Sequence, residues 1–173
     1  SAGGIVPAIR YYLPEASIVP LIIKRTATEE QVQSLAEALA PFLDERTVII
    51  TAIDFSHGLQ VDVARDKNAE TRLLLDRMAS SELLRLGNEH LDSPASVAVA
   101  MEASRRAGAR GFELRADATS AEFAPGHGEV TSYIVGYFRW APPNALTAIP
   151  ADARAIGYSR RVATVMRPSR NSG

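Results

Sequence analysis

The chain has 173 residues, three histidines, no cysteine and a formal net charge of −1 from 19 basic and 20 acidic residues. This length suits one domain, and the hydrophobic fraction of 46% is ordinary for a globular protein with a packed core. The nearly balanced charge argues against a nucleic-acid partner. No apolar run approaches the ~18 residues of a membrane-spanning helix, and the lack of cysteine excludes disulfides, cysteine nucleophiles and thiolate metal sites.

The N-terminal part of the chain predicts a helix, a strand and a second helix. The first helix is expected over residues 5–13. Residues 17–24 (Ser-Ile-Val-Pro-Leu-Ile-Ile-Lys) are typical of a buried strand, and Pro20 indicates a bulge within it. Thr28 then begins a capping-box pattern, which predicts that a helix starts directly after it.

A second apolar run, residues 47–53, ends abruptly at Asp54, Ser56 and His57. This pattern is typical of a buried parallel strand whose carboxyl end delivers polar groups to a crevice. In a functional interpretation, His57 acts as an acid or base near neutral pH, and Asp54 binds a metal or orients the imidazole. In a structural interpretation, Asp54 and Ser56 cap the next helix and His57 bonds to backbone groups. The run alone does not separate the two.

The remainder of the chain alternates helices and strands up to residue 140. This alternation is the signature of βαβ units and predicts an α/β fold, a mostly parallel open sheet with helices on both faces. The last two strands are expected to pair antiparallel at or near an edge. We predict one domain over residues 1–140 and a peripheral tail over 141–173. The expected elements are helices at 61–78, 81–86 and 94–107, and strands at 111–118 and 130–140.

The loop between the last two strands contains further candidate pocket residues. Thr119, Ser120 and Glu122 follow a strand and would open on the same crevice as His57 if the two strands were parallel. The alternative is a turn stabilised by hydroxyl groups. His127 lies between two glycines, either near a ligand or in an exposed loop.

Common catalytic and nucleotide-binding motifs are absent. The chain has no G-x-G-x-x-G, P-loop, H-E-x-x-H or G-x-S-x-G pattern. A metal site would require His57 to meet His127 or His90 in space, together with a carboxylate such as Asp54 or Glu122. His90 itself, between two helices, is expected to be structural or solvated.

The order of several short motifs resembles the Memo-like family, also called AmmeMemoRadiSam system protein B. Members typically show "ivPi", "SSDfSHy", a charged helix, a small-residue helix that ends in Gly-Ala, a "TSGD"-type loop and a closing "sVVGY" strand. The similar segments here are Ile-Val-Pro-Leu-Ile-Ile at 18–23, Thr-Ala-Ile-Asp-Phe-Ser-His at 51–57, the helical run at 63–71, Ala-Gly-Ala at 107–109, Ala-Thr-Ser-Ala-Glu at 118–122 and Tyr-Ile-Val-Gly-Tyr at 133–137.

This resemblance implies a fold similar to the class III (LigB-type) extradiol dioxygenases, of which the chain would represent the C-terminal part. It implies a divalent metal (iron, copper or zinc) held by Asp54, His57 and Glu122, with His57 as the catalytic residue. Ser56, Thr119, Ser120 and His127 would line the pocket.

The resemblance also places strands and pocket histidines before Ile5. An N-terminal half or a second chain is therefore the expected partner that completes the sheet and the site, and a homo-oligomer is a further expectation. The function would be metal or small-molecule binding, with dioxygenase-like or redox activity. The alternative is a non-enzymatic binding module with a vestigial pocket.

Overall fold

A computed structural model describes residues 2–44, 46–124, 128–140 and 161–164, the last four by their backbone. The helices are α1 (Ala2–Tyr12), α2 (Glu29–Leu39), α3 (Val61–Asp76), α4 (Ser80–Leu83) and α5 (Pro94–Arg106), with 3-10 turns at Ala40–Phe42 and Ser120–Glu122. The strands are β1 (Ile50–Thr51), β2 (His57–Leu59), β3 (Ala109–Thr119), β4 (Val130–Trp140) and β5 (Arg161–Thr164). Among these described helices, none combines the length and the apolarity needed to cross a bilayer.

Strand β4 lies at the centre of the sheet. Along one side it pairs antiparallel with β3, from Ala109 opposite Trp140 to Thr119 opposite Ser132. Along the other side it pairs antiparallel with β2 near its start and with β5 near its end. Strand β1 is joined to β5 by two parallel residue pairs. Three of the four strand pairings between described residues are therefore antiparallel.

The predicted mostly parallel open sheet is wrong. Residues 17–24 form no strand, and the run at 47–53 contributes only the two residues of β1. A parallel strand depends on neighbours that bond to its backbone, and no described residue pairs with 17–24. The long β3–β4 ladder, whose antiparallel pairing the sequence predicts, dominates the sheet instead.

The local signals for the helices are confirmed. The Thr28 hydroxyl accepts a bond from the Gln31 N–H at 3.3 Å, and Gln31 Oε1 accepts from the Thr28 N–H at 3.0 Å. Helix α2 begins after this capping box and buries Val32 and Ala36. Helices α3 and α5 also lie close to their predicted bounds.

The core lies between α5 and its neighbours. Helix α5 buries almost every residue because its small side chains allow α2, α4 and β3 to approach closely. Helix α3 packs against β3 and β4. The largest fully buried side chains of the described residues include Phe55, Leu91, Met101 and Phe138. One of them, Phe55, belongs to the polar segment that the sequence singles out.

The domain division stays a prediction. Most of residues 141–173 lie outside the described part of the chain. Residues 161–164 form β5, which is bonded to β1 and β4.

Candidate functional site

The 54–57 segment is held in place by its buried residues. Phe55 and Ser56 are fully buried, and Phe55 forms an isolated antiparallel bridge with Leu91. Next to this bridge, the Asp92 N–H donates to the Asp54 carbonyl oxygen at 3.0 Å. His57, directly after the buried pair, is exposed. The segment therefore presents polar groups at the surface from a fixed backbone.

Asp54 and Asp92 lie together at this surface. Asp92 Oδ1 accepts a bond from the Asp54 N–H at 3.3 Å. Partial burial of the carboxylate raises the pKa of Asp92, and the negative charge of Asp54 raises it further. The bond from the Asp54 backbone and the nearby His57 act in the opposite direction. Although Asp92 as a whole is exposed, its carboxyl group is in a less favourable environment for charge than open water.

The His57 ring is oriented by the backbone. Its Nδ1 lies 3.2 Å from the Phe55 carbonyl oxygen, and this contact requires a proton on Nδ1 because a carbonyl oxygen only accepts. In the neutral ring, the lone pair is then on Nε2. Since Nε2 has no bond to any described residue, it is the atom of His57 that can accept a proton or bind a cation.

The start of β4 brings two of the predicted pocket segments together. Thr131 lies opposite His57, and its N–H donates to Ser120 Oγ at 3.1 Å. The next residue, Ser132, lies opposite Thr119 and donates its N–H to the Ser56 carbonyl oxygen at 2.7 Å. Ser56, His57, Thr119 and Ser120 thus flank the same two residues of β4. The expected meeting of these segments occurs through antiparallel rather than parallel strands.

Glu122 has a structural partner. Its Oε1 accepts the Thr119 N–H at 2.8 Å in a capping box around the 3-10 turn. It also lines a surface pocket of about 260 Å³ between α3 and the end of β3. Neither Asp54 nor His57 lines that pocket; its other lining residues are Arg65, Asn68, Ala69, Arg72, Asp117, Ala118 and Thr119.

The described donors do not complete a metal centre. Within the described ranges, no group of three or more His, Cys, Asp or Glu side chains is arranged to hold a metal ion. His127 lies outside those ranges. The hydroxyls of Ser56 and Ser132 are buried and have no hydrogen-bond partner among the residues that the structure describes. Asp54 and His57 therefore form at most part of a coordination sphere.

Comparison with known proteins decides the family. A model of the family described as Memo-like protein matches residues 5–137, which extend from α1 through most of β4. The chain belongs to the Memo-like family. No curated protein and no solved structure matches it.

Two residues close to Asp54 were not among the candidates identified from the sequence. Asp92 follows a polar turn and reaches Asp54 only through the long-range bridge between Phe55 and Leu91. Tyr133 on β4 is close enough to Asp54 for that charge, after burial, to raise the pKa of its hydroxyl. The alternation of buried and more exposed residues along β4 could have indicated the face of the sheet on which Tyr133 lies.

His90 of the Memo-like chain joins a turn to α3. It is buried, and its Nε2 lies 2.7 Å from Glu70 Oε2 while its Nδ1 lies 3.4 Å from Glu89 Oε1. Lys67 Nζ lies 3.2 Å from both carboxylate oxygens of Glu70. These contacts match the structural role expected for His90.

We expect Glu70→Gln to lower stability more at pH 6 than at pH 3. The hydrogen bond from His90, and then that from Lys67, lowers the pKa of Glu70 below its ordinary value of 4.5. Because the folded pKa lies below the unfolded one, the contribution is present above pH 4.5 and is lost as the pH falls through the folded pKa.

Thermal melting of the wild type and of Glu70→Gln, measured from pH 6 to pH 3, tests this expectation. The exposed Glu37 has no ion-pair partner among the described residues, so Glu37→Gln is the matched control and should show no such trend. A difference between wild type and Glu70→Gln that does not change with pH would contradict the role of the Glu70 carboxylate.

Proposed function

We propose that the surface formed by Asp54, His57 and Asp92 is one half of a binding site for a divalent metal ion, completed by groups from a second polypeptide segment. We also propose that the chain is related to AmmeMemoRadiSam system protein B and to the LigB-type dioxygenases. Asp54 and the Nε2 of His57 would bind the ion. Iron, copper or zinc are the candidate metals because imidazole and carboxylate ligands suit all three.

The observation that carries the proposal is the close approach of Asp54 and Asp92. The Asp54 N–H donates to the Asp92 carboxylate. Partial burial raises the pKa of Asp92 most, and the negative charge of Asp54 raises it further. A divalent cation would relieve the repulsion between these two negative charges, and His57 offers a neutral nitrogen at the same surface.

The described residues alone do not fit a complete metal centre. Glu122, the third expected ligand, is bonded to Thr119. A second segment, either an N-terminal half or another chain, would have to supply the remaining ligands. A bound metal would supply Lewis-acid or redox chemistry of the dioxygenase-like kind. The role of this chain would be to orient the His57 ring through the Phe55 carbonyl, so that the Nε2 lone pair is available to the ion.

A non-enzymatic binding module is the second candidate. The capping role of Glu122 favours it, because that residue stabilises a turn rather than facing His57. In this case the surface around Asp54 and His57 would bind a peptide or another partner without a metal.

Melting in the presence of millimolar Fe²⁺, Cu²⁺ or Zn²⁺ tests the proposal. At a concentration 100 times its Kd, a ligand stabilises the folded state by about 2.7 kcal/mol, which raises the melting temperature by several degrees. Because this chain supplies only part of the ligand set, we expect a smaller but measurable rise for the wild-type chain. His57→Ala should lose most of it with little change in the melting temperature of the metal-free protein, because His57 is exposed.

Asp62→Asn provides the control, since the Asp62 side chain is 96% exposed on α3 and lies outside the proposed site. It should retain the full metal-dependent rise. No rise with any of the three metals would count against the metal site and favour the binding module. A large loss of metal-free stability in His57→Ala would assign a structural role to that histidine.

A further inference from the structure

The surface pocket between α3 and the end of β3 lies outside the proposed metal surface. Its volume is about 260 Å³. Helix α3 lines it with Arg65, Asn68, Ala69 and Arg72, because residues three, four and seven positions apart share one face of a helix. No residue of the proposed metal surface lines this pocket, so a molecule bound in it would be separate from the metal ion.

Asn68 is a buried polar residue of this pocket that lacks a partner. It is only 7% exposed, and its Oδ1 is buried with no hydrogen bond to any residue that the structure describes. Thr71, one turn further along α3, is also buried, but its hydroxyl donates to the Lys67 carbonyl oxygen at 2.9 Å. Because an unpaired buried polar group is unfavourable, the Asn68 carboxamide indicates a bound molecule that would satisfy it.

The two arginines of the pocket differ in how they are paired. Arg72 Nη1 donates to Asp117 Oδ2 at 2.8 Å, so these two side chains neutralise each other. Among the described residues, the ion-pair partner of Arg65 is Asp62, 3.8 Å away and with a 96% exposed side chain. Such a solvated contact contributes little, and the Arg65 guanidinium is therefore available to an anionic group.

Glu122 provides a negative charge in the same pocket. Its Oε1 accepts the Thr119 N–H at 2.8 Å and lies 3.4 Å from the Thr119 hydroxyl. Its other oxygen, Oε2, accepts no hydrogen bond from the described residues. A cationic donor can therefore bind to Oε2 without breaking the capping box.

These groups complement a molecule that carries both charges. A simple anion would meet Arg65 but would also face the carboxylates of Asp117 and Glu122, and a simple cation would face two guanidinium groups. We propose that the pocket binds a small α-amino acid, with its carboxylate on Arg65 and its ammonium group on Glu122 and the Asn68 carboxamide. The pocket is smaller than the ~300–1,000 Å³ typical of sites for drug-sized ligands, which suits this class of molecule. The proposal does not depend on the metal site.

The Arg72–Asp117 pair favours a neutral polar side chain on that amino acid. A guanidinium has five N–H donors, and the bond from Nη1 to Asp117 uses one of them. A carboxamide supplies both a donor and an acceptor, so it can bond to the carboxylate and to the guanidinium without separating them. L-glutamine, which carries such a group, is therefore the probe for this pocket.

Calorimetric titration of the purified chain with L-glutamine tests the proposal, with EDTA present so that no metal ion contributes. We expect saturable binding with a millimolar Kd. Two further probes each lack one charge of L-glutamine: 4-carbamoylbutanoate has no amino group, and 4-aminobutanamide has no carboxylate. Each should bind at least about threefold more weakly, because it loses a charge-assisted hydrogen bond.

Two variants assign the binding to this pocket. Ala69→Leu places a larger side chain in it and should abolish binding, while leucine remains a good helix former at this exposed position. Ala38→Leu makes the same change at an exposed position of α2 and should bind L-glutamine as the wild type does. Arg65→Gln should weaken the binding of L-glutamine but leave that of 4-aminobutanamide unchanged, since that probe has no carboxylate.

Asn68→Leu separates a binding role from a structural one. It removes the unpaired buried group at similar size, so it should raise the melting temperature of the free protein by about 2–4 °C while weakening the binding of L-glutamine. A lower melting temperature with unchanged binding would assign Asn68 to the fold and contradict its part in the site.

Three other results would overturn the proposal. The first is no saturable binding of L-glutamine at tens of millimolar. The second is equal binding of 4-carbamoylbutanoate, which would assign the pocket to simple anions. The third is undiminished binding by Ala69→Leu, which would place the bound molecule elsewhere on the chain.

Discussion

Phe55→Ala is expected to lower the free energy of unfolding by about 3–5 kcal/mol. Phe55 has no exposed surface and belongs to the central hydrophobic cluster, where it bridges to Leu91. Truncation removes its buried surface and leaves a cavity that neighbouring side chains fill only in part. For a protein whose total stability is of the order of 5–15 kcal/mol, this loss is a large fraction.

Urea denaturation measures the loss. With a slope of about 2 kcal/mol per molar urea, the midpoint should fall by roughly 2 M. Phe123→Ala is the matched control, because the Phe123 side chain is 74% exposed beside Tyr133, and it should change stability by no more than about 0.5 kcal/mol. Similar midpoints for both variants would contradict the role of Phe55 in the core.

The same substitution links the core to the candidate site. Phe55 fixes the backbone from which Asp54 and His57 project, and its own carbonyl oxygen orients the His57 ring. Loss of the ring should therefore loosen the contact between Asp54 and Asp92 even in molecules that remain folded. The position of the polar segment 54–57 therefore depends on the buried Phe55 ring within it.

Elements with a complete local signal were predictable from the sequence. The capping box of Thr28 and Gln31 determines where α2 begins, and the predicted bounds of β4 are those of the structure. In these segments the residues that form the element and the residues that stabilise it are neighbours in the chain. The antiparallel pairing of β3 with β4 belongs to the same class, since one loop joins the two strands.

The sheet and part of the site depend on distant residues and were not predictable in this way. The apolar pattern of residues 17–24 is typical of a strand but cannot provide a neighbour for its backbone, and no described residue pairs with it. Asp92 approaches Asp54 only because Phe55 and Leu91 pack together. Glu122 was expected to bind a metal; its carboxylate accepts the nearby Thr119 N–H, and its role as a ligand stays a prediction.

Gly136 on β4 is the second position where a small change should have a large effect. It lies opposite Leu114, next to an irregularity in the register between Leu114 and Ala116 of β3. A Cβ atom placed on Gly136 would be 2.6 Å from the Glu113 carbonyl oxygen and would overlap the ring of Phe112. That ring packs edge-on against Phe138, with centroids 5.6 Å apart, so it has little freedom to move away.

Gly136→Ala should therefore destabilise the protein by about 1–3 kcal/mol, although alanine normally stabilises a strand relative to glycine. Gly111→Ala on the neighbouring strand is the matched control, because no atom lies within 4 Å of the added Cβ. It should be neutral or stabilising by up to about 1 kcal/mol. Since both substitutions add one methyl group and lower the entropy of the unfolded chain equally, the difference between their urea midpoints isolates the close approach of β3 to β4. Equal midpoints would show that β3 can shift away from β4 at little cost. In that case the tight pairing of β3 with β4 would not fix the position of β4, which carries Thr131 and Ser132 to the candidate site.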